Sequence, residues 1–157
     1  MTAGAADGAP LRVRLVRVRP QAVLPERAYE HDAAFDLSAA EPAVVEPGGR
    51  ATVPTGVAIE LPEHSCALVL PRSGLAARHG ITLLNAPGLI DAGYRGEVQV
   101  VVHNTGAEPF PIEAGMRVAQ LLVLPLPPVQ LELVDALAGS ERGERGFGSS
   151  GLAGRPA

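Results

Sequence analysis

Apolar residues and arginines alternate along LRVRLVRV, Leu11 to Val18, with one slip at Leu15-Val16, as in a half-buried strand carrying a bulge. Similar short runs follow: ATV (Ala51 to Val53), GVAIEL (Gly56 to Leu61), CALVL (Cys66 to Leu70), ITLL (Ile81 to Leu84), EVQVVVHN (Glu97 to Asn104), RVAQLLVL (Arg117 to Leu124) and VQLELV (Val129 to Val134). Pro or Gly interrupts them, and EPGGR, LPEH, NAPG, DAGYRG and NTGAEPF supply the turns. This spacing predicts an all-β domain: a sandwich, jelly roll or barrel. One short helix is predicted over SGLAARHG, with Ser73 as its N-cap and Gly80 as its C-terminal stop. From Ala136 onward glycine gathers and strand periodicity ends, so a Gly-rich C-terminal tail or arm is expected.

Composition narrows the picture. A chain of 157 residues that is 46% hydrophobic suits one compact domain, and with only 3% aromatics its core must be aliphatic. The net charge of −4 gives no basic field for a nucleic-acid backbone, so no nucleic-acid partner is expected. An anionic ligand would need a local arginine cluster or a metal. The single cysteine, Cys66, excludes an internal disulfide, fits a reducing cytoplasm, and reads as a buried, inert thiol. The first ten residues have no secretory pattern and no run is long enough to span a bilayer, so no membrane association is expected.

Several segments could carry chemistry. PRSGLA, Pro71 to Ala76, places Arg72, Ser73 and Gly74 at the mouth of the short helix, where unpaired N–H groups and a guanidinium could cradle an anion. Ser73 could equally be an ordinary cap and Arg72 a solvated charge. In NAPGLIDAGYRGE, Asn85 to Glu97, Asp91 lies between Ile90 and Ala92-Gly93, where a partly buried carboxylate could act as a general base. The alternative is an Asp bonded to its own turn, and Tyr94 could be a packing residue. Asp32 and Asp36, in an expected loop, are weak candidates for Mg²⁺. Gln120 is either the solvent-facing side of its strand or a side chain aimed into a site. The four histidines show no metal-ligand spacing, and no serine sits in a nucleophile elbow. In RGERGFGSSG, Arg142 to Gly151, Phe147 is a large apolar group for a tail to leave in water.

Taken in order, AFDL, PRSGLA, NAPGLIDAGYRGE, RVAQLLV and RGERGFGSSG resemble the five conserved blocks of the trimeric dUTPases, the deoxyuridine triphosphate nucleotidohydrolases. The third block is the most specific of these and the second the next. The resemblance implies a jelly-roll-like β-barrel with one short helix, assembled as a homotrimer with active sites at subunit interfaces. Residues 1–10 would be a flexible N-terminus, 11–138 the domain and 139–157 a flexible arm, disordered when empty and closing over the site when substrate binds. The implied reaction is Mg²⁺-assisted attack of water on the α-phosphate of dUTP, giving dUMP and pyrophosphate. Such an activity keeps uracil out of DNA and supplies dUMP for thymidylate synthesis.

The same resemblance implies a role for each matching residue. Asp91 would bond the 3′-hydroxyl and deprotonate the attacking water, and Tyr94 would pack under the sugar and refuse a ribose. Asn85 and the hairpin backbone through Gly88 and Ile90 would read the uracil edge. Arg72, Ser73, Gly74 and Gln120 would hold the triphosphate and the water, with Asp36 placing Mg²⁺ through its water shell. Phe147 would stack on uracil, Gly146 and Gly148 would let the arm bend, and Arg142, Ser149 and Ser150 would reach the phosphates.

The chain departs from the family pattern at Arg145, usually Gly, at Ala34, frequently Gly, and at Leu89, often Thr or Val. None of the three removes a charged or catalytic group. Two rival functions are a dCTP deaminase or bifunctional deaminase and diphosphatase of the same fold, and a noncatalytic nucleotide-binding module.

Overall fold

In the computed structural model, which describes residues 10–146, ten strands and one helix are arranged as two antiparallel four-stranded sheets and a two-stranded ribbon. The first sheet has the order β1 (Arg14–Arg17), β4 (Arg50–Glu60), β8 (Glu97–Asn104), β6 (Ile81–Leu83). The second has the order β2 (Phe35–Ser38), β10 (Arg117–Pro125), β5 (Ser65–Pro71), β7 (Gly88–Asp91). The ribbon pairs β3 (Ala43–Val45) with β9 (Phe110–Ile112). This is an all-β jelly roll, two sheets burying their inner faces against each other.

The core is aliphatic, as the shortage of aromatics requires. Val53, Val57 and Ile59 of β4 and Val98, Val100 and Val102 of β8 pack against Leu37, Ala67, Val69, Ala119 and Leu121 of the second sheet. Two polar side chains share this interior. Thr55 donates to the carbonyl of Val98 at 2.6 Å. Asn104 donates to Val45 at 2.9 Å and Glu108 at 2.8 Å while its oxygen accepts from the N–H of Gly106, tying the ribbon to the end of β8. Among the described residues no buried side-chain polar atom lacks a partner.

The structure alters several sequence-based expectations. Only Arg14–Arg17 of LRVRLVRV form a strand; it pairs with β4 in unbroken register and is exposed on both faces, because it lies at a sheet edge with no layer across it. ATV and GVAIEL are one strand, β4, which absorbs Pro54 and Gly56 as a register shift against β8. VQLELV is not a strand: β10 ends at Pro125, Pro127 and Pro128 lack N–H donors, and no ladder partner stands beside residues 129–134. FDLS is a strand rather than a loop, and Phe110, expected in a turn, opens β9. The helix, α1 (Ser73–His79), has Arg72 at its N-cap with no side-chain cap bond, so Ser73 is its first helical residue rather than its cap. Gly80 does stop it, in the left-handed conformation at φ 67°.

Candidate active site

The turn after β6 and the strand β7 build the first half of the site. Pairing of β7 with β5 sets Gly88 opposite Val69 and Asp91 opposite Cys66, which is buried as expected. A cleft of about 220 Å³ opens here, and Asn85, Gly88, Ile90, Asp91, Tyr94 and Glu97 all contribute to its lining. The Asn85 amide lies against Gly88, where an added Cβ would come 3.2 Å from Nδ2. Asp91 is exposed in the single chain, not partly buried, since it ends an edge strand. Tyr94 is also exposed rather than packed into the core. Its ring folds back over Gly96, and its hydroxyl donates to the carbonyl of Glu97 at 2.9 Å.

The second half lies where β2, β10 and the end of β5 meet. Register places Gln120 beside both Asp36 and Leu70, so the three side chains share a face. With Asp32, Arg72 and Leu122 they line a cleft of about 330 Å³. Asp36 is buried and held between two guanidinium groups: Arg72 Nε donates to Oδ1 at 3.1 Å and Arg117 Nη1 to Oδ2 at 3.0 Å. Arg72 also donates through Nη1 to the carbonyl of Arg117 at 3.2 Å. It is therefore an oriented charge, neither free in solvent nor spent on a single partner. Asp32 instead accepts from the N–H of Tyr29 at 3.0 Å and serves its own turn.

One chain does not gather all of these residues round one cavity. Asn85, Gly88, Ile90, Asp91 and Tyr94 share the first cleft, and Asp36, Arg72 and Gln120 the second, with no lining residue in common. Neighbouring residues of β5, Val69 and Leu70, point to opposite faces and line one cleft each. Ser73 and Gly74 open α1 directly after Arg72. Arg142 is exposed and donates to the carbonyl of Arg145 at 2.9 Å. Phe147, Gly148, Ser149 and Ser150 lie outside the described residues. Among the described residues no three His, Cys, Asp or Glu side chains could together hold a metal ion, and no helix is long and apolar enough to cross a membrane.

Three charged residues bonded to the lining of these clefts or part of it were not singled out from the sequence. Arg117 heads the RVAQ block, and its only signal was that position. Arg19 and Glu97 form a bidentate ion pair, Nε to Oε1 at 2.7 Å and Nη2 to Oε2 at 3.0 Å, and Arg19 also bonds Glu41. The N–H of Gly56 donates to Glu97 Oε1 at 2.8 Å. The hydrogen bond from Arg19, aided by that amide, holds the Glu97 carboxyl below the usual glutamate range against the opposing effect of burial. A separation of 78 residues hides this pair from any local pattern.

Comparison with known proteins places this geometry. The dUTPase family model matches residues 20–151. The deoxyuridine 5′-triphosphate nucleotidohydrolase of Leifsonia xyli is 55% identical over 129 residues, covering 82% of this chain and 85% of that protein. The enzyme of the same name from Gloeobacter violaceus is 51% identical over 144 residues, covering 90% and 98%. Among solved structures, the dUTPase of Staphylococcus bacteriophage 80alpha with dUpNHpp superposes with a TM-score of 0.84 at 30% identity, covering 90% of this chain and 99% of that one. A mutant dUTPase from phage phi11 of S. aureus, described with a structural Mg(II) ion, gives 0.74 at 26% identity, covering 80% and 97%. With the family model spanning most of its length and relatives above half identity, the chain belongs to the dUTPase family.

Proposed function

We infer that this chain hydrolyses dUTP to dUMP and pyrophosphate, at sites assembled from more than one copy of itself. The observation that carries the shared site is the division described above: candidates for base and sugar line one cleft, candidates for phosphate another. A homotrimer would bring the first cleft of one copy to the second cleft of its neighbour. Exposed Val129, Leu131, Leu133 and Leu137 form a run of apolar side chains that such an assembly would cover.

The exposed Asp91 carboxylate takes a proton from water as its oxygen bonds to the α-phosphorus, and the bond to the bridging oxygen breaks to release pyrophosphate. Asn85 and the backbone at Gly88 and Ile90 meet the uracil edge, while Tyr94 lies under the sugar and leaves no room for a 2′-hydroxyl. Arg72, oriented by Asp36, faces the phosphates with Ser73 and Gly74, and Gln120 orients the water. Phe147, Gly148, Ser149 and Ser150, with Arg142, close the site from the arm.

The donor set fits Mg²⁺ only as a companion of the triphosphate. Both oxygens of Asp36 already accept an arginine, which favours contact through the ion's water shell over direct ligation. When bound, the ion supplies neutralisation of phosphate charge. The buried, unpaired thiol of Cys66 suits a reducing, cytoplasmic setting. Family membership favours this hydrolysis over deamination of dCTP or binding without turnover.

Subunit mixing tests the shared site. Asp91→Asn and Arg72→Ala, each inactive alone, should regain a fraction of dUTP turnover when refolded together, because some mixed sites then have both intact halves. No recovery in oligomers proven to be mixed would confine each site to one chain.

A further inference from the structure

We propose that Arg19 and Glu97 are positioning residues for Tyr94, and that this clamp, whose arginine lies outside every block of the site, sets how strictly the enzyme refuses a ribose. The inference rests on the reading of Tyr94 given above. Tyr94 stands in the turn after β7 with 46% of its surface exposed, so no core packing fixes the outward face of its ring. Two contacts locate it. Beneath the ring is Gly96, where an added Cβ would sit 2.4 Å from the hydroxyl oxygen and 2.6 Å from Cζ, so only glycine admits this ring position. At its tip the hydroxyl donates to the backbone carbonyl of Glu97 at 2.9 Å.

That carbonyl belongs to a residue that is itself fastened. The Glu97 side chain takes both arms of the Arg19 guanidinium and the Gly56 amide, and Arg19 reaches on to Glu41 in the segment after β2. Gly56 can stand there only as glycine: its φ is +72°, and a Cβ would come 2.5 Å from the Cβ of Ala22. Val18 donates its N–H to the carbonyl of Gly56 at 2.8 Å, so the segment bearing Arg19 is laid against the same turn. Where β8 begins is thereby fixed by a planar, two-bond fork, a geometry that lysine cannot reproduce. The path runs from Arg19 to the Glu97 carboxylate, through that residue's backbone, to the tyrosine hydroxyl.

The test is the ratio of kcat/KM for dUTP to that for UTP, measured well below each variant's melting point, in a cycle of Arg19→Met, Tyr94→Phe and the double variant. Arg19→Met should lower the ratio about tenfold, the scale of one lost hydrogen bond, chiefly by admitting UTP and with little change in kcat for dUTP. Tyr94→Phe should lower it to a similar degree, and adding Arg19→Met to Tyr94→Phe should change nothing further. Arg19→Lys should restore part of the ratio. An unchanged ratio in Arg19→Met, or an equal drop from that substitution with and without the tyrosine hydroxyl, would overturn the clamp. Tyr94→Ala separates the two levels of the account: an unchanged ratio there would remove Tyr94 from sugar selection altogether.

Discussion

Arg72 Nε lies 3.1 Å from Asp36 Oδ1, and this pair joins a residue proposed for phosphate to one proposed for the metal's water shell. The Asp36 side chain is buried, while that of Arg72 keeps 26% of its surface exposed. The contact therefore leaves Arg72 aimed but available.

Asp36→Asn should show what that orientation contributes. An amide offers one acceptor where the carboxylate offers two, and turns an NH₂ toward one of the two arginines. Loss of a charged acceptor on this scale should destabilise the fold by about 1 to 3 kcal/mol. It should also lower kcat/KM for dUTP by about tenfold or more, since charge-assisted bonds fix the phosphate-facing arginine. Urea unfolding and steady-state kinetics measure the two effects. A variant that loses stability and keeps full kcat/KM would reduce the pair to scaffolding.

Glu97 gives a pH dependence with a definite sign. Its folded pKa lies below the ordinary value, chiefly through the hydrogen bond from Arg19. Its stabilisation is therefore fully present above the unfolded glutamate pKa, about 4.3, and is lost as pH falls through the folded value. Thermal melts taken on acidification from the unfolded value down through the folded one should fall more steeply for the native chain than for Glu97→Gln. Parallel melting curves for the two would contradict the geometry of this ion pair.

The long strands were legible because their burial follows the alternation of the sequence. EVQVVVHN buries Val98, Val100, Val102 and Asn104 along one face of β8, as period-two patterning requires. The short strands β2, β3, β7 and β9 offered only three or four residues each, too few for a period to declare itself. VQLELV misled for the opposite reason: its alternation is clear, yet alternation alone does not supply a neighbouring strand. A candidate site residue inside a dense local block, such as Asp91, could be singled out from the chain itself, whereas Tyr94 drew its candidate role from the family resemblance. The bonds from Arg117 to Asp36 and from Arg19 to Glu97 join residues 81 and 78 positions apart, and only the fold brings them together.

Release of pyrophosphate from dUTP, dTTP, dCTP and UTP, measured in parallel with Mg²⁺ on the full chain and on a chain ending before Arg142, tests the central claim most directly. Turnover of dUTP alone, lost with the arm, is the predicted result. Equal turnover of dUTP and UTP, or none of any of the four by the full chain, would contradict it.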